Sequence, residues 1–455
     1  MPPTRDRKRV DVLVLGAGAA GLAAARDLSQ AGLRVTIVEA RPRVGGRVLT
    51  VHDPRSPVPL ELGAEFVHGE APETLAVARA AGLAVVELPD VHEVVTGGRF
   101  KPMGDFWKIV ERMNKDLAKR VRARGKDFPV SEYLESARVP GSHKEMLRSF
   151  VEGFYAAIPE RISARSLAEE AEGGNEESEI EGKQFRIVNG NDALLKWLRD
   201  GLDPERCNVR LSTVAQSIQW KRGGASTVCQ GGDRAELPAL NARAALVTLP
   251  LAVLKAGTLR FHPPLPAKQR ALAHLETGQI FKIVLRFREA FWEESEFLKE
   301  RRRRSNREGA GKSVNFLHAP GTELPTWWTA APVHAPILTG WVGGVAAENL
   351  LSEDPVSRLE RTLVALSNVL TVPRRELEMQ LDAWTSHDWR ADPFARGAYS
   401  YVGVNGMAAP RALGRPVDGT LFFAGEATNG EQIGTVAGAI ASGRRAAREI
   451  LRVLQ

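Results

Sequence analysis

The chain has 455 residues, which a soft prior divides into two to four domains, and its 43% hydrophobic and 26% charged content excludes wholesale disorder. Sixty-two Lys and Arg against 55 Asp and Glu leave a formal net charge of +7, too thin a surplus at this size to mark a nucleic-acid binder. Two cysteines, Cys207 and Cys229, cannot build a disulfide framework and stand at no metal-ligand spacing, so a stapled secreted scaffold and a zinc protein are both excluded.

A basic start, Met1–Arg9, precedes an apolar run over 10–25 and has the outline of a secretory leader. Gly16, Gly18 and Gly21 inside that run are explained by a nucleotide-binding turn and not by a leader, so a cytoplasmic protein is expected. No later stretch reaches the ~18 uncharged apolar residues that a spanning helix needs. Residues 10–15 read as a buried strand, followed by an Ala/Leu-rich helix through Gln30 and a second strand over 34–39. Such a unit calls for a parallel sheet covered on both faces. Helices are predicted over 71–82 and 105–123, the latter basic on one side. The acids at 169, 170, 172, 176, 177, 179 and 181 read as a solvated loop or helix end.

Beyond Phe185 the α/β texture returns: a helix over 193–202, then strands over 209–211, 214–220, 244–249 and 281–287. The charged segment 293–308, centred on Arg301–Arg304, reads as a solvated excursion and not as a nucleic-acid contact. An amphipathic helix over 356–370 follows, and the last strand, 420–424, leads into a glycine-rich helix from Gly434. One texture recurring three times points to a discontinuous nucleotide-binding domain interrupted by insertions.

The motifs carry the chemistry. Gly16-Ala-Gly18-Ala-Ala20-Gly21 follows a strand and opens a helix, so backbone and helix N-terminus can meet a pyrophosphate. Glu39, at the end of the second strand, can accept hydrogen bonds from ribose hydroxyls and would repel a 2′-phosphate. Ala40 and Arg41 lead to Gly45-Gly46-Arg47, a glycine pair beside guanidinium groups suited to phosphate. Near the carboxyl end, Gly425-Glu426 closes a strand, and Thr435-Val436 opens a helix whose N-terminus suits a group that carries negative charge. No Ser-His-Asp arrangement or H-E-x-x-H motif is present, and no metal is expected.

Together these residues resemble the flavin-containing amine oxidase family, over nearly the whole chain. The best-matched pieces are 16–47, 61–69, 247–255, 278–292 and 392–401 running on to 425–426. The resemblance implies an α/β fold in which a glutathione-reductase-like, FAD-binding Rossmann domain (1–78, 186–284 and 394–455) interleaves with an α+β substrate domain (79–185 and 285–393). It implies that Lys282 stands beside flavin N5 through a water and assists reoxidation by oxygen, and that Tyr399 is one wall of an aromatic cage. Thr435 takes the place of a second cage tyrosine. Gly63, Ala64 and Glu65 pass near the flavin ring, His68 is a further candidate there, and Val214 meets the adenine by its backbone. Ala398 stands where monoamine oxidases carry the cysteine that attaches FAD, so non-covalent FAD is expected. Trp384 and Trp389 are read as core or pocket walls.

The function implied is oxidation of a small-molecule amine by FAD and O2. Two alternatives stay open: an L-amino-acid oxidase (with Arg99 a candidate carboxylate clamp) or other flavin oxidase or desaturase of a larger substrate, and a flavin-holding partner-binding protein. No nucleic acid and no membrane span are expected; substrate identity and oligomeric state are not legible.

Overall fold

The computed structural model describes residues 10–104, 106–173, 183–302 and 314–455. Arg303 and Arg304, and the acids at 176, 177, 179 and 181, lie outside them. Two large sheets organise the mixed α/β chain.

The first has eight strands. Its parallel part runs Cys207–Arg210, Val35–Val38, Val10–Leu15, the second half of Glu236–Val247, and Leu421–Phe423. Its strands are near-continuous apolar runs because both faces are covered. The helices Ala19–Gln30, Asp192–Asp200 and Val436–Leu454 pack on one face. The sequence predicts a short strand over 244–249, but the structure has a twelve-residue one, Glu236–Val247. Its first half is largely exposed because it leaves the parallel sheet to pair antiparallel with Gly224–Gly231.

The second sheet has seven strands in the order Leu381–Ser386, Ile280–Phe287, Ile337–Gly343, Thr326–Thr329, Phe316–His318, His92–Thr96 and Arg99–Pro102. Residue 284, the expected domain boundary, falls inside Ile280–Phe287, which runs whole in this sheet. All eight of that strand's residues are buried, and alternation decides what each side meets. Phe281, Ile283, Leu285 and Phe287 pack with the helices Gly344–Leu351 and Pro355–Leu370. Lys282 therefore points the other way, and the register carries that face across the sheet. Lys282 pairs with Trp341, Trp341 with Thr326, Trp328 with Phe316, and Phe316 with His92.

The charged segment near 300 is more built than expected. Ser295–Arg301 is a helix, the Arg301 guanidinium lies 3.6 Å from the centroid of the Phe297 ring, and Arg302 grips buried Glu93 through two 2.7 Å bonds. Arg302 thus anchors the strand His92–Thr96 and Arg301 the carboxyl end of the helix Pro355–Leu370, so these two are not a solvated excursion. Among the described residues no helix is long and apolar enough to cross a membrane.

Candidate active site

A single cavity of about 2190 Å³ runs from the glycine turn to the inner face of the seven-stranded sheet. At one end lie Gly16, Gly18, Ala20, Glu39, Ala40, Arg41 and Val214; Gly45, Gly46, Arg47, Gly63, Ala64, Gly425, Glu426, Thr435 and Val436 line the middle. Gly21 does not line it. A Cβ there would come 2.0 Å from the Gly16 carbonyl oxygen, so its hydrogen lets helix pack on turn. Gly18, by contrast, faces open space: nothing lies within 4 Å of where its Cβ would be. Glu39 is buried and accepts the N–H groups of Ala17 (2.8 Å) and Arg41 (2.9 Å), which fixes its carboxylate at the strand end.

The guanidinium groups of this segment have protein partners. Arg41 pairs with Asp392 at 2.8 Å, and Arg43 donates to the carbonyls of Val44, Gly46 and Val48. Arg47 joins buried Glu426 at 2.9 Å and also holds the Ala398 carbonyl. Glu426 further accepts from Ser400 Oγ at 2.9 Å and from the Gly434 N–H at 3.1 Å. Arginine and acid together thus lock the 398–400 segment against the start of the last helix. Thr435 caps that helix, accepting the Gly438 N–H at 2.9 Å and donating its hydroxyl to the Gln432 carbonyl at 2.8 Å. That leaves it no hydroxyl proton for a substrate.

At the far end, Lys282 is 2% exposed and makes a 2.5 Å bond to Glu65 Oε2. The other Glu65 oxygen accepts from Arg186 at 2.9 Å and from Trp328 Nε1 at 3.0 Å. Burial alone would raise this carboxyl; the two cations reverse that and hold it below the usual range, as the anion. Neighbouring Glu61 has no cation in contact. Burial pushes it up to about 7 against hydrogen bonds from the Asn191 N–H and Thr50 Oγ1. Tyr399 donates its hydroxyl to the Phe154 carbonyl at 2.8 Å, and burial holds the phenol neutral well above its ordinary range.

Above this floor the rings of Phe66, Phe316, His92, Trp107, Phe150, Phe154 and His68 close a circuit, each centroid 4.6–6.1 Å from the next. All of them line the cavity. Sequence reasoning singled out only His68 among them, since aromatic residues scattered over 66–316 are indistinguishable from core until the fold gathers them. Arg186 was missed for the same reason. Trp389 is a cavity wall and donates to the Leu62 carbonyl at 2.9 Å, whereas Trp384 packs into the helix-side core. Arg99 is exposed on the edge strand and does not line the cavity.

A nucleotide turn opening into a cavity that ends at a buried lysine and aromatic walls is a place where a dinucleotide cofactor and an organic substrate can meet. The chain belongs to the flavin containing amine oxidoreductase family, whose model matches residues 19–451. It is 27% identical to lysine-specific histone demethylase 1 homolog 3 of Arabidopsis thaliana over 99% of this chain and 30% of that protein. It is 29% identical to polyamine oxidase 2 of the same plant over 98% of this chain and 89% of that one. The chain thus spans less than a third of the demethylase homologue. Its fold matches solved structures of putrescine oxidase bound to putrescine (TM-score 0.78, 21% identity) and cyclohexylamine oxidase from Brevibacterium oxydans IH-35A (TM-score 0.79, 19% identity). Each of those two covers 98% of this chain and 99% of its own.

Proposed function

We propose that the chain binds FAD non-covalently and oxidises an amine to an imine, which water hydrolyses to an aldehyde and ammonia or a smaller amine, while O2 becomes H2O2. Several features fit that cofactor: the open space beside Gly18 at a helix N-terminus, the Glu39 carboxylate at the ribose position, and the length of the cavity. Ala398, which has no thiol, supports non-covalent binding. When bound, FAD supplies the two-electron acceptor for the amine's α-carbon hydrogen and the donor for O2. The three segments 1–78, 186–284 and 394–455 are the parts we assign to holding it.

The remaining work falls to side chains. Tyr399, held by the Phe154 carbonyl, offers a fixed ring face to the amine. Lys282, held by Glu65, keeps a cation at the wall where charge develops during oxygen reduction. No carboxylate there is free to act as base, because Glu65 is already bound by two cations and an indole. The amine therefore enters with its lone pair free, and activity rises with pH through the amine's own pKa. The observation that carries the reading is Lys282 itself, a lysine 2% exposed yet on the wall of the cavity that begins at the nucleotide turn. An amino-acid oxidase would need a free guanidinium among the aromatic walls, and Arg186, 5.5 Å from the centroid of the Phe66 ring, is taken by Glu65 and the carbonyls of Thr329 and Ala331.

Anaerobic mixing with amines and amino acids, followed by air, tests this. Bleaching of the flavin by an amine, peroxide on aeration, and reoxidation slowed roughly tenfold or more in Lys282→Met are expected. A yellow protein that no amine bleaches would overturn the proposal.

A further inference from the structure

The ring circuit and the charges beneath it bear on which amine is taken, an inference that rests on the amine-oxidising reading above. Trp107 and Phe154 are 44% and 41% exposed, so the circuit meets solvent as well as walling the cavity. Its two imidazoles carry no charge. Burial pushes His68, whose accessible surface faces the cavity, down to about 4, and lowers His92, which hydrogen-bonds His318 at 2.9 Å. Directly below, Lys282 and Arg186 present two cations to one carboxylate, Glu65, so the floor has a surplus of positive charge. The other acids nearby face water: Asp90, 3.5 Å from His92 Nε2, is 83% exposed, and Glu70 and Glu169 are exposed on the cavity wall.

We propose that the ring circuit admits an amine whose far end is an uncharged ring or apolar chain, and turns away diamines and polyamines. A monoamine that enters with its lone pair free brings no charge past the collar. A diamine would bring its second ammonium, lose that ion's water, and find among the described residues only Glu70 and Glu169, carboxylates already in water, to replace it. Ring faces attract a cation, but less than full desolvation costs, and the surplus charge on the floor opposes it further. An aromatic or alicyclic tail instead meets ring edges and faces on every side, which is what such a circuit binds well.

The test uses the flavin-loaded enzyme and two probes of equal reach, 2-phenylethylamine and putrescine, with spermidine as a third. Each is read anaerobically by flavin bleaching and, separately from turnover, by the shift in melting temperature that it produces. The ring amine is expected to bleach the flavin with a KM at least tenfold below that of either polyamine, and to raise the melting temperature where putrescine does not. In Trp107→Glu, which places a carboxylate in the first turn of an exposed helix where an acid is well tolerated, the putrescine KM should fall at least fivefold while that of the ring amine rises. Preference of the unmodified enzyme for putrescine or spermidine, in either readout, would overturn the inference and leave the amine-oxidising reading standing. If no probe bleaches the flavin, both fall.

Discussion

Lys282 and Glu65 show how one buried ion pair is stabilised by what surrounds it. Glu65 answers two cations and an indole N–H. Glu65→Gln leaves Lys282 and Arg186 buried without an anion, and should lower stability by about 3 kcal/mol, read from the denaturant midpoint. Glu61 behaves oppositely. Its carboxyl, ordinarily 4.5, holds its proton to about 7 in the folded protein. The unfolded chain releases that proton first, so stability falls as pH climbs from 4.5 through 7, by about 3 kcal/mol in all. Glu61→Gln removes this slope. The variant should gain on the parent between pH 5 and pH 8 in melting temperature, and a difference that stays constant with pH would contradict the assignment.

At the scale of elements, what was legible in the sequence depended on periodicity. The Val10–Leu15 strand, the glycine turn, the helix ending at Gln30 and the strand Ile280–Phe287 were all readable because a local pattern encodes them. The inward aim of Lys282 follows from that same alternation. What could not be read was which distant strands share a face: the register from Lys282 through Trp341 and Trp328 to His92 draws on residues from 92 to 341 and leaves no local trace. The first half of Glu236–Val247 was missed because it carries Pro238 and no β-branched residue, which does not read as a strand. Packing between elements gives a sharper test. A Cβ at Gly443 would come 2.2 Å from the Ala20 carbonyl oxygen, where the last helix crosses the first. Gly443→Val should cost about 2 kcal/mol or more and weaken FAD retention, because Ala20 lines the cofactor end of the cavity. Gel filtration with the flavin-to-protein absorbance ratio measures the second effect.

For the whole molecule, the cavity separates two sheets and would be filled mainly by the cofactor. Flavin removal should therefore lower the melting temperature. Adding FAD back to one hundred times its Kd should restore about 2.7 kcal/mol, with the melting temperature still climbing as FAD increases further. A melting temperature indifferent to FAD would count against the cavity as its site.

The strand Glu236–Val247 pairs on one side with Val10–Leu15 and on the other with Leu421–Phe423, while Gly443 seats the last helix on Ala20. The glycine turn is thus made well before its neighbours, which lie at 236–247 and 421–423. A nascent chain carries half a parallel sheet with an open edge until residues 421–423 have emerged, and its cofactor cleft is incomplete before then. Chains halted before residue 421 should accumulate as colourless, chaperone-bound or aggregated species, which makes yellow colour a report on synthesis past that strand.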